Sequence, residues 1–231
     1  MILYGRNPVR EALRGPRAVT QVWATEGAAR EPWLTGPGKP RVQLRTGEQL
    51  EGLCHSSAHQ GLCAEASPFR YAAGEELLAH ADPLLIALDE VQDPQNLGSI
   101  CRSAECAGAS GVVIPERRSV EVTPAVCKAS AGAVEHLPVA RVRNLADFLA
   151  EAKSQGCWCY GASAQGGRSL YDVDLRGGAV LVLGSEGRGL RPRVASACDE
   201  LVSMPVRGRV ESLNVGVAAA LALYEAIRQR R

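Results

Sequence analysis

What this chain of 231 residues lacks narrows its role before any motif is read. Charge of one sign is not in excess: 26 Lys plus Arg stand against 25 Asp plus Glu, a formal net charge of +1. Proteins held to nucleic acid mainly by phosphate contacts are often strongly basic, so charge alone implies no partner. Lysine is almost missing. Lys39, Lys128 and Lys153 are the only three, and the other cations are arginines, whose planar guanidinium suits phosphate better than an ammonium does. No apolar run approaches the roughly 18 residues that span a bilayer, and the longer ones, such as 178–183, have the length of buried strands. No membrane association is expected. The opening Met1, Ile2 and Leu3 give way at once to Arg6, Asn7 and Pro8, without the apolar segment of a secretory signal, so the expected location is the cytoplasm. Eight cysteines include no C-x-x-C pair, which argues against a zinc site or disulfide framework and for reduced thiols. No metal is expected. Internal repeats and low-complexity tracts are also lacking.

What is present alternates. Residues 1–66 combine a short helix (7–13), strands at 18–24 and 42–44, a helix at 47–54 and an apolar run at 61–66, interrupted by a Pro/Gly-rich stretch at 31–40. This predicts a small α/β unit. Residues 67–82, with Pro68, Gly74, Glu75 and Glu76, read as a linker. From 83 to 231 strands are predicted at 84–88, 111–114, 139–142, 157–161, 179–183 and 200–203. Helices fall at 98–107, 124–131, 145–154 and 213–228, with a short one after Pro192. Short continuous apolar strands alternating with helices indicate a parallel sheet covered on both faces. In the last helix Val217, Leu221, Tyr224 and Ile227 recur at steps of four, three and three, one apolar helical face.

Ligands of such sheets bind beyond the carboxyl ends of the strands, and three segments stand there. The first holds Asn96, Gly98 and Arg102; Asn96 is expected to cap the helix that follows. On that helix Ser99, Arg102 and Cys106 share one face, and Leu97 and Ile100 another. The second, Leu183-Gly184-Ser185-Glu186-Gly187-Arg188-Gly189, is glycine-rich, yet its G-x-x-G-x-G spacing is neither the dinucleotide fingerprint nor a Walker loop. A dehydrogenase reading fails on that ground. The third runs from Met204 and Pro205 through Arg207, Gly208 and Arg209 to Ser212, Leu213, Asn214 and Val215, with Ser212 expected to cap the terminal helix. Taken singly, each segment also reads as a capped helix or a glycine turn with solvated arginines.

In order and spacing the three together resemble the SpoU/TrmH type of RNA 2'-O-ribose methyltransferase, of the SPOUT class. N-x-G-x-x-x-R is Asn96, Gly98 and Arg102; the L-G-x-E-G-x-G loop is 183–189; P-x-x-G-x-x-x-S-L-N-V is Pro205, Gly208 and Ser212 to Val215, followed by Leu223-Tyr224-Glu225. Near the start, Tyr4-Gly5-Arg6-Asn7-Pro8-Val9 and His59-Gln60-Gly61 resemble an N-terminal substrate-binding domain that looks like a small ribosomal RNA-binding protein. Family members carrying this domain mostly modify a guanosine, or a neighbouring nucleotide, of large-subunit (23S) ribosomal RNA. The resemblance implies a deep trefoil knot in the parallel-sheet domain, which periodicity does not indicate, and S-adenosylmethionine as cofactor. It further implies a homodimer. By position it assigns the cofactor to Leu183, Gly184, Met204, Ser212 and Leu213, and catalysis to Arg102, Asn96, Asn214, Ser212 and Glu186. Arg102 is the first choice, aided by Asn96 and Asn214, with Ser212 and Glu186 in the same pocket. Transfer RNA is the alternative substrate, and a non-catalytic RNA-binding or ribosome-assembly module the rival from another class.

Overall fold

The computed structural model describes every residue except Pro37, Lys39 and Gln165. Two of these fall in the Pro/Gly-rich stretch 31–40, which to that extent lies outside the described residues. The chain begins with β1 (Ile2–Tyr4), α1 (Arg6–Arg14), β2 (Val19–Ala24), β3 (Val42–Leu44), α2 (Gly47–Cys54) and β4 (Leu62–Ala66). These strands form a sheet in the order β1-β4-β2-β3, with β4 antiparallel to both β1 and β2. The strand β1 has no sequence counterpart above.

Residues 67–82 carry structure of their own. They include α3 (Gly74–Leu78), whose Leu77 and Leu78 are buried, and a bridge from Ala72 to Ala140. The larger unit then runs β5 (Leu84–Asp89), α4 (Pro94–Cys106), β6 (Gly111–Pro115), α5 (Pro124–Ala129), β7 (Val139–Val142), α6 (Leu145–Ser154) and β8 (Trp158–Ala162). It closes with β9 (Arg168–Ser169), β10 (Ala179–Gly184), α7 (Pro192–Ala197), β11 (Glu200–Ser203) and α8 (Val215–Gln229). Seven strands lie in the order β7-β6-β5-β10-β8-β11-β9, and every adjacent pair is parallel. The expected α/β architecture with a covered parallel sheet is therefore found.

Alternation along the central strands builds both cores. Leu84, Ile86 and Leu88 of β5 join Leu97, Ile100, Val126, Ala219 and Leu223 on one face. Leu85 and Ala87 join Leu145, Phe148, Leu149 and Val194 on the other. Burial on both faces explains why these strands read as unbroken apolar runs. All eight cysteines are free thiols. Burial pushes Cys101 and Cys127 up to about 12, which makes them poor nucleophiles.

The N-terminal unit is fixed to the larger one by a buried ion pair. Arg17 Nε donates to Glu135 Oε2 at 2.8 Å, and a second, shorter bond joins the Arg17 guanidinium to Oε1. The Glu135 side chain is wholly buried. Two parallel bonds fix an orientation as well as a contact. His136 adds a 3.1 Å contact to Glu11 of α1.

Candidate active site

The site forms where β5 and β10, neighbours at the centre of the sheet, both end. After β5 the chain enters α4 through Asp93, whose carboxylate accepts from Gln95 N at 3.0 Å, with Pro94 in the first turn. Asp93 is the cap, so the expectation for Asn96 is corrected. Proline lacks an N–H that the first turn would leave unbonded anyway, which lets the helix start earlier and leaves Asn96 inside it with its side chain free to reach out. Leu97 and Ile100 are buried while Ser99, Arg102 and Cys106 are exposed, the two faces expected. A Cβ on Gly98 would overlap the Ala129 Cβ and lie 2.8 Å from Ser130 N. The glycine of the first segment is thus a helix-crossing residue, which holds α4 tightly against α5.

The glycine-rich segment after β10 closes on itself, with Gly189 N donating to Ser185 O at 2.9 Å. A Cβ on Gly184 would overlap the Gly189 carbonyl and the Leu190 amide. Only glycine allows the returning backbone so close. The far end of the loop is anchored at Arg191, whose backbone N and Nε each donate to Asp89 at 2.8 Å. Asp89 is completely buried at the end of β5. This carboxylate holds the Arg191 guanidinium even more firmly protonated than usual. Sequence reading missed the pair; its one visible trace was a carboxylate closing the run Leu-Leu-Ile-Ala-Leu-Asp.

In the third segment, residues 205–214 are exposed throughout. Asn214, not Ser212, caps α8: Asn214 Oδ1 accepts from Gly216 N at 2.9 Å and Val217 N at 3.2 Å. The Ser212 expectation fails because the helix begins at Val215, two residues beyond the reach of a cap at 212.

Three of the expected residues meet. Asn96 Nδ2 donates to Glu186 Oε1 at 3.0 Å, and Asn214 Nδ2 donates to the same oxygen at 2.7 Å and to Asn96 Oδ1 at 2.9 Å. One residue from each segment enters this cluster, and Glu186 is its hub. Arg102 does not join: its side chain is exposed, with no hydrogen bond or ion pair among the described residues. Ser212 is likewise exposed and outside the cluster.

Two cavities adjoin there. The larger, about 970 Å³, is walled by Leu183, Gly184, Met204, Ser212 and Leu213, all five residues assigned to the cofactor. The smaller, about 310 Å³, lies between the residue 90–93 turn, Asn96 and Arg188. Ser185, Glu186, Arg188 and Val215 line both. The arrangement suits two reactants presented to each other across the Glu186 wall. Among the described residues no group of His, Cys, Asp and Glu is arranged to hold a metal.

A parallel α/β sheet thus carries a two-chambered site beyond its strand ends and is joined to a second small sheet. Comparison with known proteins gives the family. Residues 83–224 match the SpoU rRNA methylase family, and residues 2–72 match the RNA 2'-O ribose methyltransferase substrate-binding family. The chain belongs to the SpoU family of RNA methyltransferases. An uncharacterized tRNA/rRNA methyltransferase of Synechocystis is 39% identical over 99% of this chain, which spans 62% of that relative's length. The 23S rRNA (guanosine-2'-O-)-methyltransferase RlmB of Pseudomonas putida is 38% identical, covering 99% of this chain and 96% of its own. The rRNA methyltransferase of Sinorhizobium meliloti, solved with AdoMet bound, superposes with a TM-score of 0.81 at 25% identity, over 98% of this chain and 86% of that one.

Proposed function

We propose that this protein transfers a methyl group from S-adenosylmethionine to the 2'-hydroxyl of a guanosine in 23S ribosomal RNA. The carrying observation is the Asn96–Glu186–Asn214 cluster, whose hub, Glu186, lines both cavities. A 38% identical relative named for guanosine 2'-O-methylation of 23S rRNA supports the substrate, as does the N-terminal match to a substrate-binding family.

The larger cavity fits the cofactor on its own chemistry. Gly184 keeps the loop backbone close, Leu183, Met204 and Leu213 supply apolar walls, and the Ser212 hydroxyl supplies a polar one. When bound, S-adenosylmethionine supplies an electrophilic methyl group on a sulfonium, for which no metal is needed. The chain's task is to position the ribose and tolerate charge on its oxygen. Asn96 and Asn214, locked to Glu186, orient the ribose at the shared wall. Holding reactants in line contributes several kcal/mol to such reactions. Arg102, a guanidinium exposed to solvent, stabilises the developing 2'-alkoxide, and the hydroxyl proton passes to solvent water. Ser212 completes the pocket. We further assign the chain a knotted sheet domain, a homodimeric state and a cytoplasmic location, and place the domain division at 1–66 and 83–231.

Mapping of ribose methylation in total rRNA and tRNA, with and without the protein and S-adenosylmethionine, tests this reading. One new 2'-O-methylguanosine in 23S rRNA is expected. A new mark confined to tRNA, or none, would overturn it.

A further inference from the structure

The two N-terminal segments singled out in the sequence meet each other and a lysine of the larger unit. Gly5 N donates to Leu62 O at 3.0 Å, and Arg6 N donates to the side-chain Oε1 of Gln60 at 3.1 Å. The Tyr4–Arg6 and His59–Gly61 stretches therefore form one surface. Lys128 of α5 reaches that surface. A Cβ placed on Gly5 would lie 2.5 Å from Lys128 Nζ and 3.2 Å from Gln60 Oε1.

The cations around this junction are otherwise paired. Arg6 meets Glu31 at 2.9 Å, Arg10 and Arg14 both meet Glu11, and Arg17 is buried against Glu135. The Lys128 side chain alone of these has no hydrogen bond or ion pair among the described residues, although the residue is half-buried. Burial draws its ammonium below the usual lysine value. A partly desolvated cation without a counter-ion is costly, and an incoming anion would relieve that cost. Lys128 is also close to the chemistry. Its neighbour Ala129 packs on Gly98 of α4, and Asn96 and Arg102 lie within about 6 Å of Gly98 along that helix.

We propose that Lys128 is a substrate-positioning residue that grips a backbone phosphate of the RNA at the junction of the two units, while the target ribose occupies the site beyond α4. The phosphate meets the Lys128 ammonium beside the Gly5–Gln60 surface, on which that side chain rests, so the N-terminal unit and the reaction site hold a single strand in fixed register. Phosphate contacts of this kind fix orientation without reading sequence. This inference rests on the RNA-methylating function proposed above.

Lys128→Met keeps the apolar stem and removes the charge; Lys128→Arg restores the charge. Methyl transfer to rRNA and direct binding of the same RNA are measured across a range of salt concentrations. For Lys128→Met the expected result is a KM for RNA raised roughly tenfold and a kcat within about twofold of the parent. The salt slope of RNA binding should fall by about one, with melting temperature unchanged or raised and S-adenosylmethionine affinity unchanged, and Lys128→Arg should recover most of the loss in KM. Parental KM and salt slope in Lys128→Met would overturn the proposal, as would a loss of melting temperature that Lys128→Arg does not repair. If the parent protein binds rRNA without methylating it, the substrate reading fails, and the binding slope still decides the role of Lys128. If the parent binds no RNA, both fail.

Discussion

Gly184 concentrates the structural demand of the larger chamber into one missing side chain. Its Cβ would overlap the Gly189 carbonyl and the Leu190 amide, atoms of backbone that cannot swing aside as the end of a flexible chain can. Gly184→Ala must therefore push the 185–189 loop outward. The expected cost is about 1–3 kcal/mol of stability, as for other overpacked sites, with S-adenosylmethionine affinity falling by at least ~10-fold. Titration calorimetry checks the second effect, and unchanged affinity would show that the loop does not form the chamber wall. Glu186 owes its position to the same loop, where its one carboxylate oxygen receives both asparagine amides. At this scale the sequence was informative about identity and less so about role. Asn96 and Ser212 both stood next to helix starts, and both were expected to cap. Asp93 and Asn214 do so instead, because a cap depends on where the helix begins, and that is decided by Pro94 and by packing at Val215. Asp89 stayed hidden because a lone carboxylate at a strand end gives no clue to a partner 102 positions on.

Among the elements, α8 shows a mismatch between pattern and burial. Its regular apolar face, Val217, Leu221 and Tyr224, is the exposed one, while Ala219, Ala222, Leu223 and Ala226 face the core. Leu213, Val210 and Val206 of the preceding loop are exposed as well. Exposed apolar residues gathered on one helix face suit an interaction site, and a second copy of the chain is the partner we propose. Static light scattering at micromolar concentration should give the mass of two chains, and Leu221→Glu combined with Tyr224→Glu should give the mass of one. A single-chain mass for the unaltered protein would contradict the assignment. The helices and strands of the sheet domain were legible because each carries one strong period or one short apolar run. Three short elements were not: β1, β9 and α3 have three, two and five residues, and tertiary neighbours hold them.

Across the whole molecule, two separately patterned sheets are joined by the Arg17–Glu135 pair, held out of water between them. Breaking such a pair by removing one partner is far more damaging than its net contribution suggests. The pairing fixes the Gly5–Gln60 surface relative to α5, and through the Gly98 crossing relative to Asn96 and Arg102 on α4. We propose that the site is split by chemistry: the segments after β10 and β11 build the cofactor chamber, and α4 brings the group that acts on the ribose. That division is the central claim, and one variant separates its halves. In Arg102→Ala, S-adenosylmethionine binding by calorimetry and tritium transfer from it to 23S rRNA are measured side by side. The account predicts cofactor affinity within about twofold of the parent and transfer reduced at least ~100-fold, in the range that loss of one charge-stabilising group costs. Undiminished transfer by Arg102→Ala would contradict it.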